Sequence, residues 1–233
     1  MSTEQDYGFP CRLYLVSPPS FELSVFERQL REALNAGDVG AFQLRLKNAS
    51  DEAIVQAAER LKPLCEDKDV AFIINDRPDI ADAVRATGVH MGQEDLLQMP
   101  ISKVRQIVGA DAIIGISCHD SSHMAMQAGD DGADYVAFGA FYPTQSKPPE
   151  KLAKYGTPKP DMLEWWYQYT VLPCVAIGGI TPQNCGPLVT AGADFIGVIT
   201  GVWSHPEGPA VAVSAYNNAI KEALKARTPA EAA

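Results

Sequence analysis

The sequence predicts a single α/β domain, a closed (β/α)8 or TIM barrel, on three observations. Short β-branched runs recur eight times with amphipathic stretches between them, the pattern of successive βα units. The runs are apolar almost throughout, as in AFIIN at 71–75 and PCVAIGG at 173–179, which suits strands buried on both faces. Eight rounds in 233 residues fit a compact barrel, for which roughly 250 residues is typical. A doubly wound open sheet is the runner-up, but no G-x-G-x-x-G follows the first strand. With no linker, low-complexity tract or charge run in view, one domain over 1–233 is expected, its core at about 12–226.

The first strand is expected at Leu13–Ser17. Phe26, Leu30 and Leu34 then share one face of a helix over Glu22–Ala36, with Gly37 just past its end. Strand two spans Ala41–Leu46. Ser50 opens the next helix, where Ile54, Ala57, Ala58 and Leu61 repeat at helical spacing before Pro63. Strands follow at Val70–Asn75, Gly88–Met91, Ala112–Ser117, Tyr135–Gly139, Cys174–Gly178 and Phe195–Ile199. Helical segments fall at Ser102–Val108, Ser121–Asp130, Met162–Tyr169, Gln183–Ala191 and Ala210–Ala226, and the tail from Thr228 is expected to fray.

Composition narrows the function. Against 29 acidic residues stand 19 basic ones, a net charge of −10, which argues against a nucleic-acid partner. An anionic ligand would be repelled by that overall field, so local cations or a metal must recruit it. Five cysteines with no C-x-x-C pair suit reduced cytosolic thiols. The opening MSTEQDYGFP has neither a basic n-region nor an apolar h-region, and no run approaches the ~20 apolar residues of a membrane span. A cytoplasmic protein with no membrane partner is expected. Nothing in the sequence marks an oligomeric state.

Chemistry in such barrels sits at the C-terminal ends of strands. Strand two ends Gln43-Leu44-Arg45-Leu46-Lys47, and alternation places Gln43, Arg45 and Lys47 on one face, suited to a phosphate or diphosphate. An ordinary edge strand with a solvated face competes with that reading. Strand three ends Asn75-Asp76, where Asp76 alone could be a helix cap before Pro78. Asp95 follows strand four, so two carboxylates at neighbouring strand ends could share one hard cation, and Mg²⁺ is usually held by one or two carboxylates plus substrate phosphates. Asp79 and Asp82 fall at helical spacing and suit a solvated face.

Strand five ends Ser117-Cys118-His119, a Ser–His pair without the G-x-S-x-G elbow, so His119 reads better as a turn residue. After strand six, residues 143–156 form a long stretch without strong periodicity, in which Thr144, Gln145, Ser146 and Lys147 offer anion-binding chemistry. A basic surface loop is the other reading. Strands seven and eight end Gly178-Gly179 and Ile199-Thr200, where barrels often hold a phosphate on backbone N–H groups.

Taken in order, these motifs resemble the thiamine phosphate synthase family, from about Leu13 to Val202. The residues carrying the resemblance are Gln43–Lys47, Asn75-Asp76, Gly88-Val-His-Met-Gly-Gln-Glu-Asp95, Gly115-Ile-Ser-Cys-His119, Pro143–Lys147, Ala176–Ile180 and Val198-Ile-Thr200. The resemblance implies a transferase of thiamine biosynthesis that joins hydroxymethylpyrimidine diphosphate to thiazole phosphate and releases diphosphate. It also implies that Gln43, Leu44, Arg45, Leu46, Lys47, Asn75, Ser117 and Lys147 hold the pyrimidine diphosphate. Arg45, Lys47, Ser117 and Lys147 would act in catalysis. Asp76 and Asp95 would bind Mg²⁺, while Thr144, Gln145, Ser146, Gly179, Ile199 and Thr200 would take the thiazole phosphate. Two positions depart from the family pattern: Ser146 stands where a Thr is usual and Thr200 where a Ser is usual, and both keep a hydroxyl. The pair Trp165-Trp166 is no family mark and reads as barrel packing. Two further readings share the barrel: a thiazole tautomerase using His119, and a non-catalytic sensor of thiazole or thiamine phosphate.

Overall fold

The computed structural model describes residues 11–144 and 155–227, in which eight parallel strands close into a barrel in sequence order. The strands are β1 (Arg12–Val16), β2 (Val39–Leu44), β3 (Ala71–Asn75), β4 (Gly88–Met91), β5 (Ile113–His119), β6 (Tyr135–Phe138), β7 (Cys174–Ile177) and β8 (Phe195–Val198). Closure comes from β1, which pairs with β2 through Leu15 and Phe42 and with β8 through Leu13 and Ile196. No edge is left open for another strand.

Alternation along each strand divides the apolar residues into two layers. Leu13, Leu15, Phe42, Phe72, Ile74 and Val136 face outward and pack with the helices. Tyr14, Val16, Ala41, Tyr135, Ala137 and Val175 face inward and fill the barrel. Each strand therefore buries both faces, which is why the runs lack an apolar/polar alternation.

The first two helices show how sequence signals become caps. In α1 (Leu23–Ala36) the expected face is buried through Phe26, Leu30, Ala33 and Leu34. The Glu22 carboxylate accepts the N–H groups of Ser24 and Val25 at its start, and those bonds hold its carboxyl below the ordinary value. Gly37 follows as expected, but its backbone is extended, with φ 175°, rather than left-handed. A Cβ there would fall 2.0 Å from the Asn217 side-chain oxygen, which accepts the Asp38 N–H. Close approach, not turn conformation, requires that glycine.

In α2 (Asp51–Glu66), Ser50 accepts the Ala53 N–H. This helix runs through Pro63 instead of stopping before it, because the turn beyond buries Leu64 and Cys65 and outweighs one missing N–H. Four short helices differ from expectation: Gly186–Thr190 is shorter than the expected Gln183–Ala191, and α3 (Pro78–Ala83), α4 (Gln93–Leu96) and Thr200–Trp203 fall where the sequence set no helix bounds. The helix at Pro209–Arg227 packs against α1 and buries Ala212, Val213, Tyr216 and Ile220.

Trp166 is 2% exposed, packs edge-on against Phe138 and donates its ring N–H to Leu172 O, so it serves packing as expected, whereas Trp165 is 39% exposed and does not. All five cysteines are buried and form no disulfide among the described residues, and burial pushes the Cys65 and Cys118 thiols up to about 12. Among the described residues no helix is long and apolar enough to cross a membrane.

Candidate functional site

The C-terminal ends of the strands surround a cavity of about 410 Å³. Its two walls differ in construction. On one side β2 to β5 and the segment after β2 supply the side chains of Gln43, Arg45, Asn75, His90 and Ser117. On the other, the segments after β7 and β8 supply Gly178, Gly179, Ile199, Thr200 and Gly201, and Pro143 and Thr144 close the rim.

A hydrogen-bonded chain crosses the first wall. Gln43, only 4% exposed, donates from Nε2 to Asn75 Oδ1 at 3.2 Å, and Asn75 Nδ2 donates to Asp76 Oδ2 at 2.5 Å. The second Asp76 oxygen accepts the Gly92 N–H at 3.1 Å. Asp76 has a φ of 60°, the left-handed region in which aspartate is among the few tolerated residues, and its own N–H is fixed on His90 O. Burial, and next the Asp95 charge, push its carboxyl above the ordinary value, while the two hydrogen bonds and Arg45 act in the opposite sense.

Gly92 lies between the two acids. A Cβ there would fall 2.6 Å from Asp95 Oδ2 and 3.6 Å from Asp76 Oδ1, so two carboxylate oxygens border one small space that a glycine keeps open. Hard oxygen donors from two carboxylates fit Mg²⁺, which takes its remaining ligands from water and substrate phosphates. Among the described residues no group of three or more acidic, His or Cys side chains converges, which is not the donor set of a closed structural metal site.

Arg45 faces the same corner. Its backbone N–H donates to Ser17 Oγ at 2.8 Å, and Ser17 is fully buried. Burial lowers the Arg45 pKa and the Asp76 charge opposes that shift, leaving a cation beside the acidic pair. Strand β2 ends at Leu44, so strand alternation covers Gln43 only; Arg45 reaches the cavity from the segment beyond it. Lys47 stands exposed outside the cavity lining, held by its N–H on Pro19 O. Leu44 is buried in the outer apolar layer and Leu46 packs against it, so their side chains face away from the cavity.

A second chain runs into the barrel. Ser117 Oγ lies 2.9 Å from His90 Nε2, His90 Nδ1 lies 2.9 Å from the Tyr135 hydroxyl, and that hydroxyl lies 2.7 Å from the Tyr14 hydroxyl. A Ser117–His119 pair was the weaker reading of the sequence, and the structure puts His90 beside Ser117 instead. A register shift between Ser117 and His119 turns Cys118 into the outer layer. His119 has a φ of 54°, stacks on Tyr155 at 3.9 Å and does not line the cavity.

The second wall is shaped by backbone. Gly178 and Gly179 have φ of 106° and 63°, and a Cβ on Gly179 would fall 2.4 Å from Pro143 O. Asn184 ties the turn down, accepting the Thr181 N–H at 2.7 Å and donating to Gly179 O at 3.1 Å. Tyr216 donates to Ile180 O at 2.8 Å from beneath. Thr200 opens the short helix after β8.

Comparison with known proteins decides the family. A family model for thiamine monophosphate synthase matches residues 13–202. The chain belongs to the thiamine monophosphate synthase family. It is 54% identical over 211 residues to the thiamine-phosphate synthase of Rhodospirillum centenum, covering 91% of this chain and 98% of that one. It is 47% identical to the thiamine-phosphate synthase of Hyphomonas neptunium, covering 91% and 95%. Among solved structures, a thiamine phosphate pyrophosphorylase from Pyrococcus furiosus superposes with a TM-score of 0.78 at 31% identity, covering 92% and 98%. Membership makes the chain a transferase of thiamine biosynthesis.

Seven residues that the resemblance assigned to this family's substrates come together at the cavity: Gln43, Arg45, Asn75, Ser117, Gly179, Ile199 and Thr200, with Thr144 at its rim. Asp76 and Asp95 adjoin it at Gly92. Gln145, Ser146 and Lys147 lie outside the described residues. Sequence reasoning missed Ser17, Tyr14 and Tyr135 and left His90 without a role. Gly115 was the available signal for Tyr135: a Cβ on Gly115 would fall 1.9 Å from the Tyr135 ring.

Proposed function

We propose that this cavity is where the chain joins hydroxymethylpyrimidine diphosphate to thiazole phosphate, by a dissociative substitution assisted by Mg²⁺. The observation that carries the reading is the meeting of Asp76 and Asp95 at Gly92 beside Arg45. Two acids crowded next to a half-buried arginine form a receptor for a cation and a diphosphate together, and they meet the recruitment condition set by the net charge of −10.

In this reading the C–O bond to diphosphate breaks first, its electron pair leaving with the diphosphate, and the cation left on the pyrimidine methylene is stabilised by the ring's own amine. The thiazole nitrogen then supplies the pair that forms the new C–N bond. Mg²⁺, when bound by Asp76 and Asp95, would offset the charge growing on the departing diphosphate. Arg45 and Lys147 serve the same charge from the protein side. Gln43 and Asn75 orient the pyrimidine diphosphate, and Ser117 contacts the pyrimidine. Lys47, exposed in the described chain, serves as an outer cation that guides the diphosphate inward. The backbone wall at Gly179, Ile199 and Thr200, with Thr144, Gln145 and Ser146, holds the thiazole phosphate, so that its nitrogen meets the short-lived cation before water does.

No side-chain nucleophile is needed, which agrees with a Cys118 thiol buried in the outer layer. The tautomerase reading needs a His in the cavity at the end of strand five, and His119 is stacked on Tyr155 instead. Diphosphate release measured with and without thiazole phosphate and Mg²⁺ tests the proposal. Release that needs Mg²⁺ and matches thiamine phosphate formation is expected. Product formation with full activity in EDTA would overturn the metal role.

A further inference from the structure

The end of β1 lies between the two walls of the cavity, and both are tied to it. Strand β8 ends at Val198, paired with Leu15 of β1. One residue beyond, the Val16 carbonyl takes its bond from a side chain: Trp203 donates its ring N–H to Val16 O at 2.7 Å. An indole N–H only donates and a carbonyl only accepts, so this link has one sense. Trp203 closes the one-turn helix that Thr200 opens, and its backbone N–H is bonded to Ile199 O. Its ring sits edge-on to Phe26 at 4.7 Å and to Phe42 at 6.4 Å, and that packing aims the N–H.

The other side of the joint belongs to the first wall. Ser17, next to Val16 and fully buried, donates its N–H to Gln43 O at 2.9 Å and accepts the Arg45 N–H on Oγ at 2.8 Å. Ile199 and Thr200 thus hang on Val16 through Trp203, while Gln43 and Arg45 hang on the adjacent Ser17. Tyr216 makes a different tie. Its hydroxyl donates to Ile180 O at 2.8 Å, and a Cβ on Gly201 would fall 2.2 Å from it. That bond fastens the second wall to the helix at Pro209–Arg227 rather than to β1.

We propose that Trp203 is a positioning residue that fixes the two substrates relative to each other. The inference rests on the functional reading above, in which Thr200 holds thiazole phosphate while Gln43 and Arg45 hold the pyrimidine diphosphate. In that reading the pyrimidine methylene cation has two captors. The thiazole nitrogen supplies the pair that gives thiamine phosphate. Water, if it arrives first, adds through an oxygen lone pair, loses a proton and leaves free hydroxymethylpyrimidine. A displacement of about 1 Å between reacting groups costs on the order of 10²-fold in rate. Loss of the Trp203 link should therefore leave diphosphate release running and send part of the cation to water.

Trp203→Phe keeps a ring against Phe26 and Phe42 and removes the N–H. With saturating substrates and Mg²⁺, the wild-type chain should release one diphosphate per thiamine phosphate. Trp203→Phe should release about two or more, the excess matched by hydroxymethylpyrimidine. A loss of folded protein lowers both products together, so the ratio separates positioning from stability. The substrate-free chain gives a second readout, because the Arg45 amide should exchange with solvent about five- to tenfold faster in Trp203→Phe, the worth of one hydrogen bond. Tyr216→Phe should change neither the ratio nor that exchange. In the wild-type chain, with no variant needed, the Trp203 ring N–H and the Arg45 N–H should be protected to within about tenfold of each other, as members of one opening unit. A ratio of one in Trp203→Phe, unaltered Arg45 exchange, or widely different protection of the two wild-type groups would overturn the proposal. So would a Tyr216→Phe chain that reproduces both effects. If the wild-type chain forms no thiamine phosphate while Arg45 exchange responds as expected, the functional reading fails and the joint stands.

Discussion

The two walls of the cavity solve the same problem, holding an anion in an acidic protein, by different means. The wall around β2–β5 uses side chains locked in two hydrogen-bonded chains, Gln43–Asn75–Asp76 and Ser117–His90, the second continued by Tyr135 of β6 and Tyr14 of β1. The wall after β7 and β8 uses main chain, with Gly178 and Gly179 in the left-handed region and Asn184 pinning the turn. Side chains can carry charge and change protonation, so the first wall suits bond breaking. Backbone N–H groups are fixed dipoles without charge, so the second suits binding and aim. Substitutions on the first wall should therefore act on turnover, and on the second on affinity.

The largest effect is expected at Asp76. Asp76→Asn should lower turnover by about 10²-fold or more, as for loss of a group stabilising transition-state charge, and Asp95→Asn should raise the Mg²⁺ requirement. Asn accepts a left-handed φ, so the backbone is undisturbed. The folded-state pKa of Asp76 is raised, so the folded chain binds that proton more tightly than the unfolded one. The resulting destabilisation is absent below the ordinary carboxylate range and complete once pH passes the raised value. At neutral pH in EDTA, Asp76→Asn should thus raise Tm. An unchanged or lower Tm would show that the hydrogen bonds from Asn75 and Gly92 outweigh the charge.

Next comes the backbone wall. Gly179→Ala puts a Cβ 2.4 Å from Pro143 O at a φ of 63°. It should cost about 1–3 kcal/mol of stability and raise the KM for thiazole phosphate with little change in the Mg²⁺ requirement. A turnover defect with unaltered KM would break the division between the walls. Ser17→Ala is a smaller test of the first wall, removing the acceptor that the described residues give to the Arg45 N–H. A loss of about 1–3 kcal/mol is expected from that stranded donor, together with weaker diphosphate binding.

The smallest effect lies just outside the site. Arg77 pairs with Asp51 and Asp79 on the surface and holds both carboxyls below their ordinary values. What these pairs contribute is present above the ordinary carboxylate range and fades as pH falls through the lowered values. Arg77→Met should leave Tm at neutral pH nearly unchanged, because exposed pairs contribute little, and should flatten the acid side of the Tm–pH profile. A large loss at neutral pH would mean that Arg77 supports Asp76 through the backbone.

Local rules made much of this legible. Apolar runs on a βα rhythm specify parallel strands buried on both faces, and Ser50 and Leu30 mark a helix start and a helix face through interactions within a turn or two, whereas Gly37 answers to Asn217, far along the chain. Site residues that follow strands, such as Asp76, Asp95 and Gly179, could be placed because barrel topology puts every such position on one rim. What the sequence could not supply were contacts between residues distant along the chain. His119 stands two residues from Ser117, yet a register shift in β5 hands the partnership to His90, 27 residues away. Tyr14 and Tyr135 meet across 121 residues of sequence, and only the closed barrel brings them together. Periodicity and capping are local, so the chain alone determined its strands, its helices and the rim on which chemistry sits. Partner choice and burial depend on which strands become neighbours, and that was decided by closure of the barrel.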